Sequence, residues 1–106
     1  MNFEEISRAF KELGHPIRLS IVKRLIRAGF QGIPVGTLQE ELNIPNSTLS
    51  HHISSLVHAG LMMQRKEGRI LFCVLKYENV KLLQLFLEKD CCVDEYLEVK
   101  EDLLQQ

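Results

Sequence analysis

A chain of 106 residues with 45% hydrophobic and 25% charged side chains has the size and make-up of one domain with one core. No apolar run approaches the roughly 18 residues of a membrane span. The acidic, amphipathic start has no secretory core, so a cytoplasmic protein with no membrane partner is expected. The net charge of −1 hides a split: residues 1–87 carry 11 Lys/Arg against 7 Asp/Glu, and residues 88–106 carry 2 against 7. The body is mildly basic, as a phosphate-binding surface requires, and the tail is acidic. Three cysteines make no disulfide framework and fit a reducing compartment.

Phe3, Ile6, Phe10 and Leu13 recur at helical spacing and predict a first amphipathic helix. Gly14 ends it, and Pro16 sits where a second helix opens. Ile17, Ile21, Val22, Leu25 and Ile26 mark the inner face of that helix, with Arg18, Lys23, Arg24 and Arg27 among its other positions. Two glycines and a proline make residues 28–34 a loop. Val35, Leu38 and Leu42 predict a short third helix. Asn43-Ile44-Pro45-Asn46 is the turn after it, because Pro45 disfavours helix at Ile44. Asn46 or Ser47 is then expected to cap a fourth helix. Leu49, Ile53 and Leu56 face inward there, while Ser47, His51, Ser54 and His58 share the opposite face with Ser50 beside them.

Gly60 is placed for a left-handed C-terminal cap. Residues 62–65 and 70–75 read as two strands joined at Glu67-Gly68, with Arg65, Lys66 and Arg69 clustered at the tip. Residues 78–88 predict a fifth helix, apolar nearly all round at Leu82, Leu83, Leu85, Phe86 and Leu87. A chain this small cannot cover that much apolar surface alone, so a partner subunit is expected. A main domain thus spans residues 1–90. Residues 91–106 form an acidic tail in which Val93, Tyr96, Val99 and Leu103 have the spacing of a short helix.

Helix, helix, helix-turn-helix, hairpin, helix is the order of a winged helix-turn-helix, a mostly α fold with a two-stranded β wing. Three segments carry a resemblance within that order. Leu13-Gly14-His15-Pro16-Ile17-Arg18-Leu19 opens the second helix, Ser47-Thr48-Leu49-Ser50-His51-His52-Ile53-Ser54-Ser55-Leu56 lies in the fourth, and Ala59-Gly60-Leu61 leads into the wing. With these, the chain resembles the ArsR/SmtB family of bacterial metal- and stress-responsive repressors over residues 3–88. The resemblance implies a homodimer joined through its first and last helices. It also implies an imperfectly palindromic double-stranded operator, released when an inducer binds, and no required cofactor.

By the same resemblance, Asn46, Ser47, Ser50 and His51, with Thr48 nearby, match positions that contact bases and phosphates. Hydroxyls and imidazoles can reach phosphate oxygens or base edges, and Ser54 shares their face. Arg65, Lys66 and Arg69 would reach the flanking backbone or minor groove. Lys and Arg at a hairpin tip are also often only solvating. Arg18 matches a position near the DNA-side scaffold and reads equally as an ion pair between helices.

The inducer site is less determined. The thiolate site that some members carry on the third helix is absent, since the aligned stretch is Ile33-Pro34-Val35-Gly36. A zinc site on the last helix is not expected, because residues 77–90 contain no His. What remains is Cys91-Cys92, similar to a subgroup of arsenic-responsive repressors with vicinal cysteines just past the last helix. Two thiolates suit a soft ion such as As(III) or Sb(III). Cys73 could complete the set only if the tail folded onto the wing or through the partner subunit, and it reads first as a small buried strand residue. Thiol oxidation or persulfidation, and a pair with no ligand, remain the other readings. The acidic neighbours Glu88, Asp90, Asp94 and Glu95 disfavour a reactive thiolate.

A thiol enzyme is the competing class. The chain has no CxxC pair and no Gly-rich phosphate loop, and its cysteines follow a helix C-terminus, where the dipole opposes a thiolate. No catalytic residue is expected.

Overall fold

In the computed structural model, which describes residues 1–96, α1 (Phe3–Leu13) and α2 (Pro16–Ala28) are followed by a 3-10 turn at Gly29–Gln31. Then come β1 (Ile33–Pro34), α3 (Val35–Leu42), α4 (Asn46–His58), β2 (Met62–Glu67), β3 (Ile70–Leu75) and α5 (Tyr77–Glu88). Local chemistry sets most of these boundaries. The Asn2 side chain accepts the Glu5 N–H at 2.8 Å and caps α1. His15 caps α2 through Nδ1, which accepts the Ile17 N–H at 3.1 Å, and Pro16 follows at the first helical position, where its missing N–H is not needed. Asn43 closes α3 in the left-handed region at φ 52, which Asn tolerates better than most residues. Gly60, at φ 76, ends α4 with the expected left-handed cap. The Leu61 N–H reaches back to the Leu56 carbonyl and the Gly60 N–H to Val57, both at 3.0 Å.

The wing contains one more strand than the two expected. β1 pairs antiparallel with β3, which also pairs with β2, so the sheet order is β1-β3-β2. Residues 28–34 were expected to be a loop. A two-residue strand is too short to display any period, and it exists because Gly32 lets the backbone press against β3. At φ 73, a Cβ on Gly32 would lie 2.5 Å from the Cys73 carbonyl oxygen. β2 runs on to Glu67, which pairs with Ile70, so the turn is Gly68-Arg69 rather than Glu67-Gly68. Gly68, at φ 61, occupies the first central position of this two-residue loop.

Leu49, Ile53 and Leu56 of α4 join Ile21, Leu25, Leu38, Leu61 and Met62 in one buried cluster. This holds α4 across the body with its opposite face in solvent. α1 and α5 meet at one edge, where the Phe86 ring lies 5.8 Å from Phe3 and 6.4 Å from Phe10. Phe3, part of the apolar repeat of α1, is 73% exposed and borders a hollow of about 210 Å³ with Ile6, Ser7, Phe10 and Phe86. Leu83 is the buried residue of α5, while Leu82, Leu85, Phe86 and Leu87 are exposed. The structure begins a helical turn at Val93–Tyr96; Val99 and Leu103 of the expected tail helix lie outside the described residues. Among the described residues, no helix is long and apolar enough to cross a membrane.

Candidate nucleic-acid interface

α4 presents Ser47, Ser50, His51, Ser54 and His58 to solvent, together with Asn46, while Thr48 is partly covered. The spacing had placed Ser47, His51, Ser54 and His58 on one face, and the burial of Leu49, Ile53 and Leu56 on the other side fixes that face outward. One local expectation is corrected. Neither Asn46 nor Ser47 caps the helix. Pro45 is the N-cap, its carbonyl accepts the Leu49 N–H at 3.0 Å, and no side chain caps the first turn. Pro45 brings its fixed φ, here −61, to the cap position, which pushes Asn46 and Ser47 one and two places into the helix. Their side chains and the first-turn N–H groups therefore have no partner within the helix. Such an end binds anions by geometry and by dipole. Nearer the C-terminus, His58 Nδ1 lies 2.8 Å from the Ser54 carbonyl oxygen and 3.3 Å from its hydroxyl. His58 also borders an open hollow of about 320 Å³ lined by Arg8 and Lys76, with Glu5 as the acid. Arg8 and Lys76 stand far apart in sequence, and nothing in their local pattern points to this shared position.

The inner side of α4 holds a group that the sequence reading missed. His52 is buried, 5% exposed. Its Nδ1 accepts from Arg18 Nε at 3.0 Å, and Arg18 forms an ion pair with Glu12. The His15 ring stacks at 4.5 Å and the His51 ring lies at 5.8 Å. Burial first, and then the charges of His15, Arg18 and His51, push the His52 imidazole below its usual value. A signal did exist. Leu49, His52, Ile53 and Leu56 follow the spacing of an inward helical stripe, which places His52 among the buried residues. Arg18 makes the inter-helix ion pair that was one of its two readings.

The three wing cations separate. Lys66 and Arg69 are exposed near the tip. Arg65 was expected at the tip but lies within β2 opposite Phe72, because the strand continues two residues beyond it. Its guanidinium donates to the Gln31 carbonyl at 2.9 Å and the Phe30 carbonyl at 3.3 Å, pairs with Glu67 at 2.8 Å, and lies 5.2 Å from the centre of the Phe72 ring. Arg65 thus fastens the hairpin to the 3-10 turn. A groove of about 300 Å³ between α4 and the wing, lined by Val35, Ser50, Ile53, Ser54, Val57, Gln64 and Leu71, joins the two elements into one surface.

Cys91 and Cys92 are both exposed, just past α5. Interaction of the Cys92 thiol with Cys91 as acceptor, and secondarily burial, raise that thiol above its usual value. Cys73 is fully buried in β3, with the Gln64 amide 3.9 Å from its sulfur, and burial raises its thiol. Among the described residues, no three His, Cys, Asp or Glu side chains converge as a metal site, so within one chain Cys73 does not join Cys91 and Cys92.

A helix-turn-helix domain family matches residues 13–65, from the end of α1 into β2. An uncharacterised HTH-type transcriptional regulator of Methanocaldococcus jannaschii is 37% identical over 79 residues, 74% of this chain and 86% of the relative. The chain belongs to this helix-turn-helix family of transcriptional regulators, and its fold is that of solved ArsR-family regulators. A second relative, the biofilm growth-associated repressor of Agrobacterium fabrum, is 30% identical over 94 residues, 88% of this chain and 78% of that protein. Among solved structures, the homodimeric winged helix-turn-helix DNA-binding domain of a possible ArsR-family regulator from Mycobacterium bovis superposes with a TM-score of 0.66 at 25% identity. That superposition covers 90% of this chain and 83% of that one. The helix-turn-helix match takes in the whole of α2, α3 and α4.

Proposed function

We propose that the protein is a homodimeric repressor that binds an imperfectly palindromic double-stranded operator through α4 and the wing, and releases it when As(III) or Sb(III) binds Cys91 and Cys92. The observation that carries the DNA reading is the start of α4. Its inner face is locked into the core, its first turn is uncapped, and Asn46, Ser47, Ser50, His51 and Ser54 all face outward. In this reading Ser47 and His51 enter the major groove, Asn46 and the first-turn N–H groups hold a phosphate, and Thr48 flanks them. Lys66 and Arg69 reach the neighbouring backbone, and Arg65 keeps the wing in position. The exposed apolar side chains of α5, the Phe3–Phe86 edge and the homodimeric state of the Mycobacterium bovis domain support pairing through α1 and α5. Repression itself follows from the Agrobacterium relative, a repressor.

Gel-shift titration on the protein's own upstream DNA tests this reading. Ser47→Ala with His51→Ala is expected to weaken specific binding roughly tenfold or more, since a single base contact is worth about 1–3 kcal/mol. Circular dichroism should stay unchanged, because both side chains are exposed. No specific binding by the wild type at any salt concentration would end the proposal.

For the inducer, both thiols are accessible and adjacent in the chain. As(OH)3 would react with them to give a three-coordinate As(III) held by two thiolates and retaining one hydroxyl, releasing two waters. Each thiol proton leaves with a hydroxyl of arsenic, so no oxidant is required. As(III) is expected to dissociate the wild-type complex and to leave the Cys91→Ser/Cys92→Ser complex bound. Equal release of both would remove arsenic from the proposal and leave the repressor standing.

A further inference from the structure

We infer that Glu12, Arg18 and His52 form a positioning relay for the recognition helix, and that protonating His52 breaks it and loosens the grip on DNA. The inference rests on α4 being the DNA-reading helix. It is carried by geometry. α4 is tied to α1 and α2 by one polar chain, Glu12 to Arg18 to His52, running through an otherwise apolar contact.

His52 serves this chain only when neutral, because Nδ1 must be an acceptor for Arg18 Nε–H. A proton on Nδ1 would point at that N–H, so the bond is lost and two cations face each other. The groups around the ring sharpen the effect. Arg18 from α2, His15 from the α1–α2 turn and His51 from α4 itself all disfavour a positive His52, and the single acid, Glu12 from α1, is already paired with Arg18. The imidazole therefore titrates below the ordinary value of about 6.5. The unfolded chain takes up the proton first. The stability that neutral His52 contributes is thus complete above that ordinary value and is lost as pH falls through the folded-state pKa. The outward histidines, His51 and His58, behave oppositely on DNA, since their protonation adds positive charge facing phosphate. Loss of binding on acidification accordingly distinguishes the inner histidine from the outer ones.

Two measurements test this, one of them without DNA. In the free wild-type protein, an NMR titration should show the His52 ring titrating below the ordinary imidazole range, with backbone amides of α4 shifting in step. Arg18→Gln should move that midpoint upward, because it removes a nearby cation. An ordinary midpoint, unmoved by Arg18→Gln or without any α4 response, would overturn the relay. On operator DNA, wild-type affinity should fall by about tenfold per pH unit for each subunit once below the His52 midpoint, and so by up to about a hundredfold for the dimer, as the neutral fraction shrinks. His52→Asn, whose side-chain oxygen can still accept from Arg18 but does not titrate, should lose this dependence whatever its affinity at neutral pH. His52→Gln serves if the Asn variant does not fold. A fall of the same steepness in these variants would assign the pH effect elsewhere. If the free protein titrates as expected and no specific DNA binding is found at any pH, the relay stands and the operator reading fails.

Discussion

Leu85→Glu is expected to give a folded monomer that binds operator roughly 100-fold or more weakly, the scale of avidity lost when two linked half-sites become one. Leu82, Leu85 and Phe86 lie at helical neighbour spacing on α5, and each keeps more than a third of its surface in solvent within the single chain, at 40%, 46% and 37%. A glutamate at 85 therefore meets water in the monomer, whereas in a dimer it would be buried without a partner. Sedimentation shows the change in mass, and anisotropy on a full operator and on a half-site shows the change in binding. The dimer proposal fails if Leu85→Glu sediments as a dimer, or if it binds the full operator as tightly as the wild type does.

Gly32→Ala should be the most damaging small substitution outside the apolar core. Alanine at φ 73 is strained, and its Cβ would also stand 2.5 Å from the Cys73 carbonyl oxygen and 2.7 Å from a Val74 methyl. The backbone of β1 must then move off β3. Strain and overpacking together imply a loss of about 3 kcal/mol, or roughly 10–20 °C in melting temperature for a domain of this size. Gly29→Ala is the control. Its φ of 75 and ψ of −161 suit glycine almost alone, but nothing lies within 4 Å of the added methyl, so it carries strain alone, about 1–2 kcal/mol. Thermal melts followed by circular dichroism would separate the two. Equal losses would mean that the close approach of Gly32 to β3 is not what holds this edge of the sheet.

The contrast between those glycines marks what the sequence could and could not convey. Helices α1 to α5 were legible because each repeats an apolar period, and Pro16, Pro45 and Gly60 mark boundaries by fixing or freeing φ. The outward face of α4 was legible for the same reason. Features made by partners distant in sequence were not. Arg65 is held by carbonyls 34 and 35 residues away, and His52 by an arginine 34 residues away. A local pattern cannot distinguish such anchors from solvated cations or from surface histidines. β1 has only two residues and no period to detect. Phe3 fits its helix's apolar stripe, yet lies where the chain alone offers nothing to cover it. The cap of α4 was misplaced by one residue, because Asn and Ser are good caps and Pro45 took the position first.

That displaced cap has a consequence for the free and bound states. Asn46 and Ser47 are residues that commonly close a helix start, but one and two positions into the helix they cannot satisfy its first N–H groups. Water solvates those groups until a duplex arrives. A phosphate oxygen placed there would complete the helix as a side chain does elsewhere, making the operator a structural component of α4 as well as its target.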